Sequence, residues 1–178
     1  MFQRIQSLYI ILAIIANILL FVFPMVQYSD MMGQTRIDTQ INIIPGHIDN
    51  SYMADIMEGE PSTSIPQYCY FSSAWILLVL ILLVEVLAGA SLTLFKNRVI
   101  QMRVVAVAFL LEVAYIAIEF LWVIDAYPTK LGASLGINPT PHFTIGTWLP
   151  AIAAVLFFLA QRAIRSDEQK VRAADRLR

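Results

Sequence analysis

Residues 72 to 126 read SSAWILLVLILLVEVLAGASLTLFKNRVIQMRVVAVAFLLEVAYIAIEFLWVIDA. Two apolar runs, 72–95 and 104–126, flank the short basic segment KNRVIQMR. A helix crossing the roughly 30 Å hydrocarbon layer needs about 20 mostly apolar residues. Both runs meet that length, and a link so short makes them an antiparallel hairpin.

The same test applied outward finds two more spans. IQSLYIILAIIANILLFVFPMV covers 5–26, with Asn17 as its one strongly polar interior residue. Its apolar run is longer than the 7 to 15 residues of a signal-peptide core, and no A-x-A pattern follows it, so it is read as retained. TIGTWLPAIAAVLFFLAQRA, 144–163, is the fourth, with Pro150 in its first two turns, where it starts the helix or bends its end. Of the 178 residues, 58% are hydrophobic, above the roughly 45 to 50% of soluble domains. A net charge of −1 gives no basic surface for nucleic acid.

Charge placement sets the orientation. Ten of the twelve Lys and Arg fall on one side: Arg4, Lys96, Arg98, Arg103, and the six from Arg162 to Arg178; only Arg36 and Lys130 fall on the other. Basic residues in short loops stay cytoplasmic, so both termini are expected there, the fold being an all-α, four-transmembrane-helix bundle in one domain, 1–178. The long outer loop, 27–71, is acidic. Within it TRIDTQINII alternates apolar and polar as a half-buried strand does. PGH then reads as a turn and GEPSTSIPQY as a linker. A lone strand leaves backbone groups unpaired, so a small periplasmic β-containing cap is expected. The shorter loop, 127–143, is rich in Gly and Pro and reads as irregular.

Three glutamates lie inside the spans. Glu85 lies roughly 15 Å above the basic link and Glu112 roughly 13 Å, so the hairpin puts them at similar depth. Glu119 lies two turns beyond Glu112 on nearly the same face. No basic residue occurs within the spans apart from Arg162 at the inner end of the fourth. Ionised residues at a span centre are costly, about 2.5 to 3.5 kcal/mol each for aspartate on insertion scales, so these acids are expected to face the interior, protonated or sharing a proton. Asn17, Ser91, Thr93, Tyr9 and Tyr115 are the available partners. Intramembrane acids point by default to a proton or cation path; the plainer reading, interhelical polar contacts, carries more weight.

The tail, 164–178, is expected to continue span four as a charged cytoplasmic helix. Ile164, Val171, Ala174 and Leu177 fall along one stripe, with Arg165 and Arg172 beside it, as a contact surface for a partner or for the basic link. Glu168 sits four residues before Arg172, the favourable order for a side-chain pair. Anchoring among anionic headgroups is the plainer alternative.

The opening MFQRIQSLYIILA, the central LFKNRVIQMR and the closing RAIRSDEQKVRAADRLR resemble the uncharacterised four-span membrane family 4293 among the domains of unknown function, found in Bacteroidota. The resemblance covers essentially the whole chain. It implies a bacterial inner membrane with the acidic loop in the periplasm, and it carries no catalytic role onto any residue.

No phosphate loop, nucleophile elbow or HExxH occurs, so an enzyme is not expected, nor any cofactor. Cys69 is a lone thiol. His47 and His142, with Asp49, lack metal-site spacing and read as ordinary loop residues. The first functional expectation is an accessory or scaffolding subunit of an inner-membrane complex, contacting lipids and other membrane subunits. A small proton-linked transporter or channel and an envelope sensor are the alternatives.

Overall fold

The computed structural model describes residues 3–32, 35–41, 43, 48–53, 71–94, 97–121 and 140–176. The order is α1 (Gln3–Leu19), β1 (Val26–Met32), β2 (Thr35–Ile41), β3 (Ile48–Met53), α2 (Phe71–Thr93), α3 (Arg98–Ile118), β4 (Thr140–Phe143) and α4 (Ile145–Arg176). Three helical stretches are long and apolar enough to cross a membrane: Trp75–Thr93, Arg98–Leu121 and Ile145–Val171. The apolar stretch of α1, Ile5–Leu19, is shorter.

Contacts within the chain gather into two compact units. The first takes Met1–Leu19, Leu80–Ile116 and Leu149–Arg178. Its core holds Ile10, Ala13 and Ala16 of α1, Val84 and Ala88 of α2, Val105 and Ala108 of α3, and Ala153, Phe157, Ala160 and Ile164 of α4. Six of these are alanines. Small side chains let helix backbones approach closely, which is how helices associate where lipid removes the hydrophobic drive between them.

The outer faces of this unit are apolar as well. Val86 is 67% exposed, Leu110 63% and Val155 58%, while Gln6, Asn17, Gln101 and Glu112 are buried. A soluble protein rarely shows so much contiguous apolar surface. Lipid tails accept it at no cost, so polar-inside, apolar-outside packing agrees with membrane insertion.

The second unit takes Leu20–Val79 and Ala117–Trp148. Its centre is a four-stranded sheet in the order β3-β2-β1-β4, every neighbouring pair antiparallel. The strand expected over TRIDTQI is β2, and it finds a partner on each side: Arg36 to Ile41 run against Met53 to Ile48, and Thr35 to Ile41 against Met32 to Val26. β4 closes one edge, with Val26 opposite Phe143 and Ser29 opposite Thr140. An edge position tolerates Pro141, which has no N–H to offer a further strand.

Four expectations change in detail. The first helix stops at Leu19 rather than Val26; residues 20–23 turn, and β1 begins at Val26. Pro24 lacks an N–H and disfavours helical geometry at Phe23, and the apolar run continues past it because Met25 and Val26 are buried in the sheet-bearing unit. The third helix begins at Arg98, not Val104, so the link is shorter than KNRVIQMR; the Asn97 carbonyl accepts the Gln101 N–H at 3.0 Å and opens the helix as an N-cap does. The end of the shorter loop is a strand rather than irregular, since β1 offers its free edge to 140–143. Pro150 lies in the first two turns of the last helix, as expected, but does not start it, the helix beginning five residues earlier at Ile145. The PGH turn, the GEPSTSIPQY linker, residues 127–139 and Cys69 lie outside the described residues.

Candidate functional site

The buried positions of α3 are Gln101, Val105, Ala108, Glu112 and Tyr115. Their spacing of four and three keeps one stripe turned inward. Glu119 extends the stripe by four more positions, into a wider π-type turn at 119–121, and is fully buried. Glu112 and Glu119 therefore both face protein.

In the first unit three helices converge on one polar cluster. The Asn17 Nδ2 of α1 donates to the Glu112 Oε2 of α3 across 3.2 Å. Glu85 of α2 lies close to this pair, near enough for the two carboxyls to interact electrostatically. Asn17 and Glu112 are fully buried, and Glu85 is partly so. The neighbouring core includes Ala13, Ala16, Ala88 and Ala108.

The cluster is short of donors. Two carboxylates and one amide carbonyl present five acceptor oxygens, against two N–H bonds on Asn17. Asn17 Oδ1, Glu85 Oε1 and Glu112 Oε1 are buried with no hydrogen-bond partner among the described residues. Each proton taken up by a carboxyl turns one acceptor into a donor. Two such protons bring the group to four donors.

Of the other expected partners, Ser91 and Thr93 turn away. Their hydroxyls donate to Ala88 O at 2.6 Å and Ala90 O at 2.8 Å within their own helix, a local alternative always open to Ser and Thr. Tyr115 is buried on the α3 stripe and Tyr9 packs against the core. Glu119 belongs to the second unit.

The expected contact tail is the last part of α4. Ile164 is buried in the core, Arg165 is exposed and Val171 is 40% exposed. Arg172 and Ala174 lie within α4, their side chains outside the described residues, as is Leu177. Polar contacts tie this end of α4 to α1 and α3. Arg98 at the start of α3 pairs with Asp167 at 3.0 Å, and Gln6 of α1 donates to the Ala163 carbonyl at 3.3 Å. Asp167 was not singled out in the sequence, though its position beside the basic link was the available signal.

A second arrangement also escaped the sequence reading. At the start of α4 the segment Thr144-Ile145-Gly146-Thr147 grips the turn before β1. The Thr144 hydroxyl donates to the Pro24 and Met25 carbonyls, and the Thr147 hydroxyl to the Met25 carbonyl. A Cβ on Gly146 would collide with the Pro24 carbonyl, so only glycine permits this approach. Phe120 and Phe143 stack nearby in the same unit, centroids 6.5 Å apart. His142 lies in β4 opposite Gln27, and His47 lies outside the described residues. Among the described residues no three of His, Cys, Asp and Glu gather as a metal site.

No curated protein matches the sequence. A family does, over residues 2–177, and the chain belongs to it: the family described as domain of unknown function DUF4293.

Proposed function

We propose that the chain is a non-catalytic accessory or scaffolding subunit of a bacterial inner-membrane complex. In this reading it crosses the bilayer four times as a helix bundle, α1 included, with both termini cytoplasmic and the sheet forming a periplasmic cap. The supporting observation is the Asn17–Glu112 hydrogen bond, which ties α1 to α3 inside a core built mostly of alanine and other apolar side chains. Interhelical polar contacts of this kind contribute about 0.6 to 2 kcal/mol, enough to fix how helices register without any chemistry. The distribution of basic residues supports the orientation.

Extraction in mild detergent followed by affinity isolation tests the role. A partner recovered in fixed stoichiometry supports it; repeated recovery of the chain alone counts against it. Topology is tested through Cys69, the single cysteine. A membrane-impermeant thiol reagent added to intact spheroplasts should label it, and should spare a cysteine placed at position 178 in a Cys69→Ser background.

The shortage of donors around Glu85 and Glu112 favours a second reading, a proton-linked transporter or channel in which these carboxyls carry the proton. Reconstituted Glu85→Gln and Glu112→Gln variants test it. Proton flux into liposomes unchanged by both substitutions removes this reading.

A further inference from the structure

Where the apolar part of α4 gives way to its charged end, a groove of about 480 Å³ opens in the first unit, lined by Met102, Phe158, Gln161, Arg162 and Arg165. That volume falls in the range of small-molecule sites. Its two halves differ in chemistry. Phe158 is 50% exposed and packs its ring against Phe109, centroids 6.1 Å apart, so with Met102 it forms an apolar floor. Arg162 and Arg165, one turn apart and both exposed, form a cationic rim with the Gln161 amide beside them.

Depth along the helix gives this pairing its meaning. Arg162 and Arg165 lie 17 and 20 positions after Ile145, roughly 26 and 30 Å along the axis. The hydrocarbon layer is itself about 30 Å thick. The guanidiniums therefore reach the level of lipid headgroups while Phe158, 13 positions after Ile145 and roughly 20 Å along the axis, remains at the level of the chains. Neither guanidinium has an ion-pair partner among the described residues. Asp167, the nearest acid in sequence, is engaged by Arg98.

We propose that this groove binds one anionic phospholipid, its phosphate held by Arg162 and Arg165 and one acyl chain lying on Phe158 and Met102. Guanidinium matches phosphate geometry with paired N–H donors. Two positive charges favour a headgroup with net negative charge over a zwitterionic one. The inference rests on the membrane placement above but not on the accessory role, and its test requires no partner.

Purified full-length protein in a nonionic detergent is mixed with equal amounts of phosphatidylglycerol and phosphatidylcholine of matched chains, and the lipid retained per chain is counted by native mass spectrometry. One phosphatidylglycerol should be retained, preferred about tenfold or more over phosphatidylcholine. Arg162→Gln with Arg165→Gln should abolish the preference, whereas Arg103→Gln, an exposed arginine outside the groove lining, should preserve it. A second readout needs no variant: phosphatidylglycerol should raise the melting temperature of the wild-type protein, and an equal concentration of inorganic phosphate should not. Equal retention of the two lipids, a preference surviving the double substitution, or an equal shift with inorganic phosphate would overturn the proposal. The last outcome would assign the groove to a free anion instead.

Discussion

The two units of this chain solve opposite problems. The helical unit satisfies most of its backbone groups within each helix, so its side chains are free to present apolar faces outward and to place their few polar groups inward. The sheet-bearing unit satisfies its backbone by pairing strands, some adjacent in sequence, as Val26–Met32 with Thr35–Ile41, and some far apart, as Val26–Ser29 with Thr140–Phe143. In the first, a handful of polar side chains decide how helices meet. In the second, the decisive contacts are made to backbone carbonyls, from Thr144 and Thr147 to Pro24 and Met25.

That contrast can be broken from either side. The largest effect is expected at Gly146→Val, whose side chain must enter space held by the Pro24 backbone. A neighbour that is backbone yields little, so we expect a loss of about 3 kcal/mol, the upper end for overpacking, measured as thermal unfolding in detergent. A variant as stable as wild type would show that the approach of α4 to this turn is dispensable.

Asn17→Leu comes next. It keeps the branching and heavy-atom count but leaves the Glu112 carboxyl buried without its donor, which costs about 1 to 3 kcal/mol. Replacing Asn17 and Glu112 together by leucine should cost less than Asn17→Leu alone, because the Glu112 carboxyl is then no longer left buried without its donor. A double variant worse than the single one would show that the hydrogen bond is not what joins α1 to α3.

Thr147→Val removes one hydroxyl donated to Met25 and should cost about 1 kcal/mol. Arg98→Gln removes the pair with Asp167, whose side chains are 30% and 15% exposed. A partly solvated pair contributes about 0.5 kcal/mol, so this is the smallest effect, and raising the salt concentration should shrink it further.

How much of this the sequence disclosed follows the same division. The long helices were legible because the bilayer demands length and apolarity, properties of composition alone. The depth of Glu85 and Glu112 followed from counting residues back from the basic link, and Asn17 was already the one strong polar interruption in its run. What counting misses is direction. An apolar stretch such as FVFPMV suits a helix or a buried strand equally, so the end of α1 and the start of β1 were hidden in it. β2 alternates and was visible. β3 and β4 were not, because IDNSYM lacks clean alternation and TPHF carries a proline that marks an edge only once its neighbour is known. The Thr144–Thr147 grip on Pro24 and Met25 links positions some 120 residues apart, beyond any local pattern.

The central claim is that the apolar outer face of the helical unit lies in lipid. Spin labels placed at Val86 and Leu110 in a Cys69→Ser background, with the protein in bilayers, test it through collision with oxygen and with a water-soluble nickel chelate. The account predicts strong relaxation by oxygen and little by the chelate at both positions. Free access of the chelate to either would contradict it.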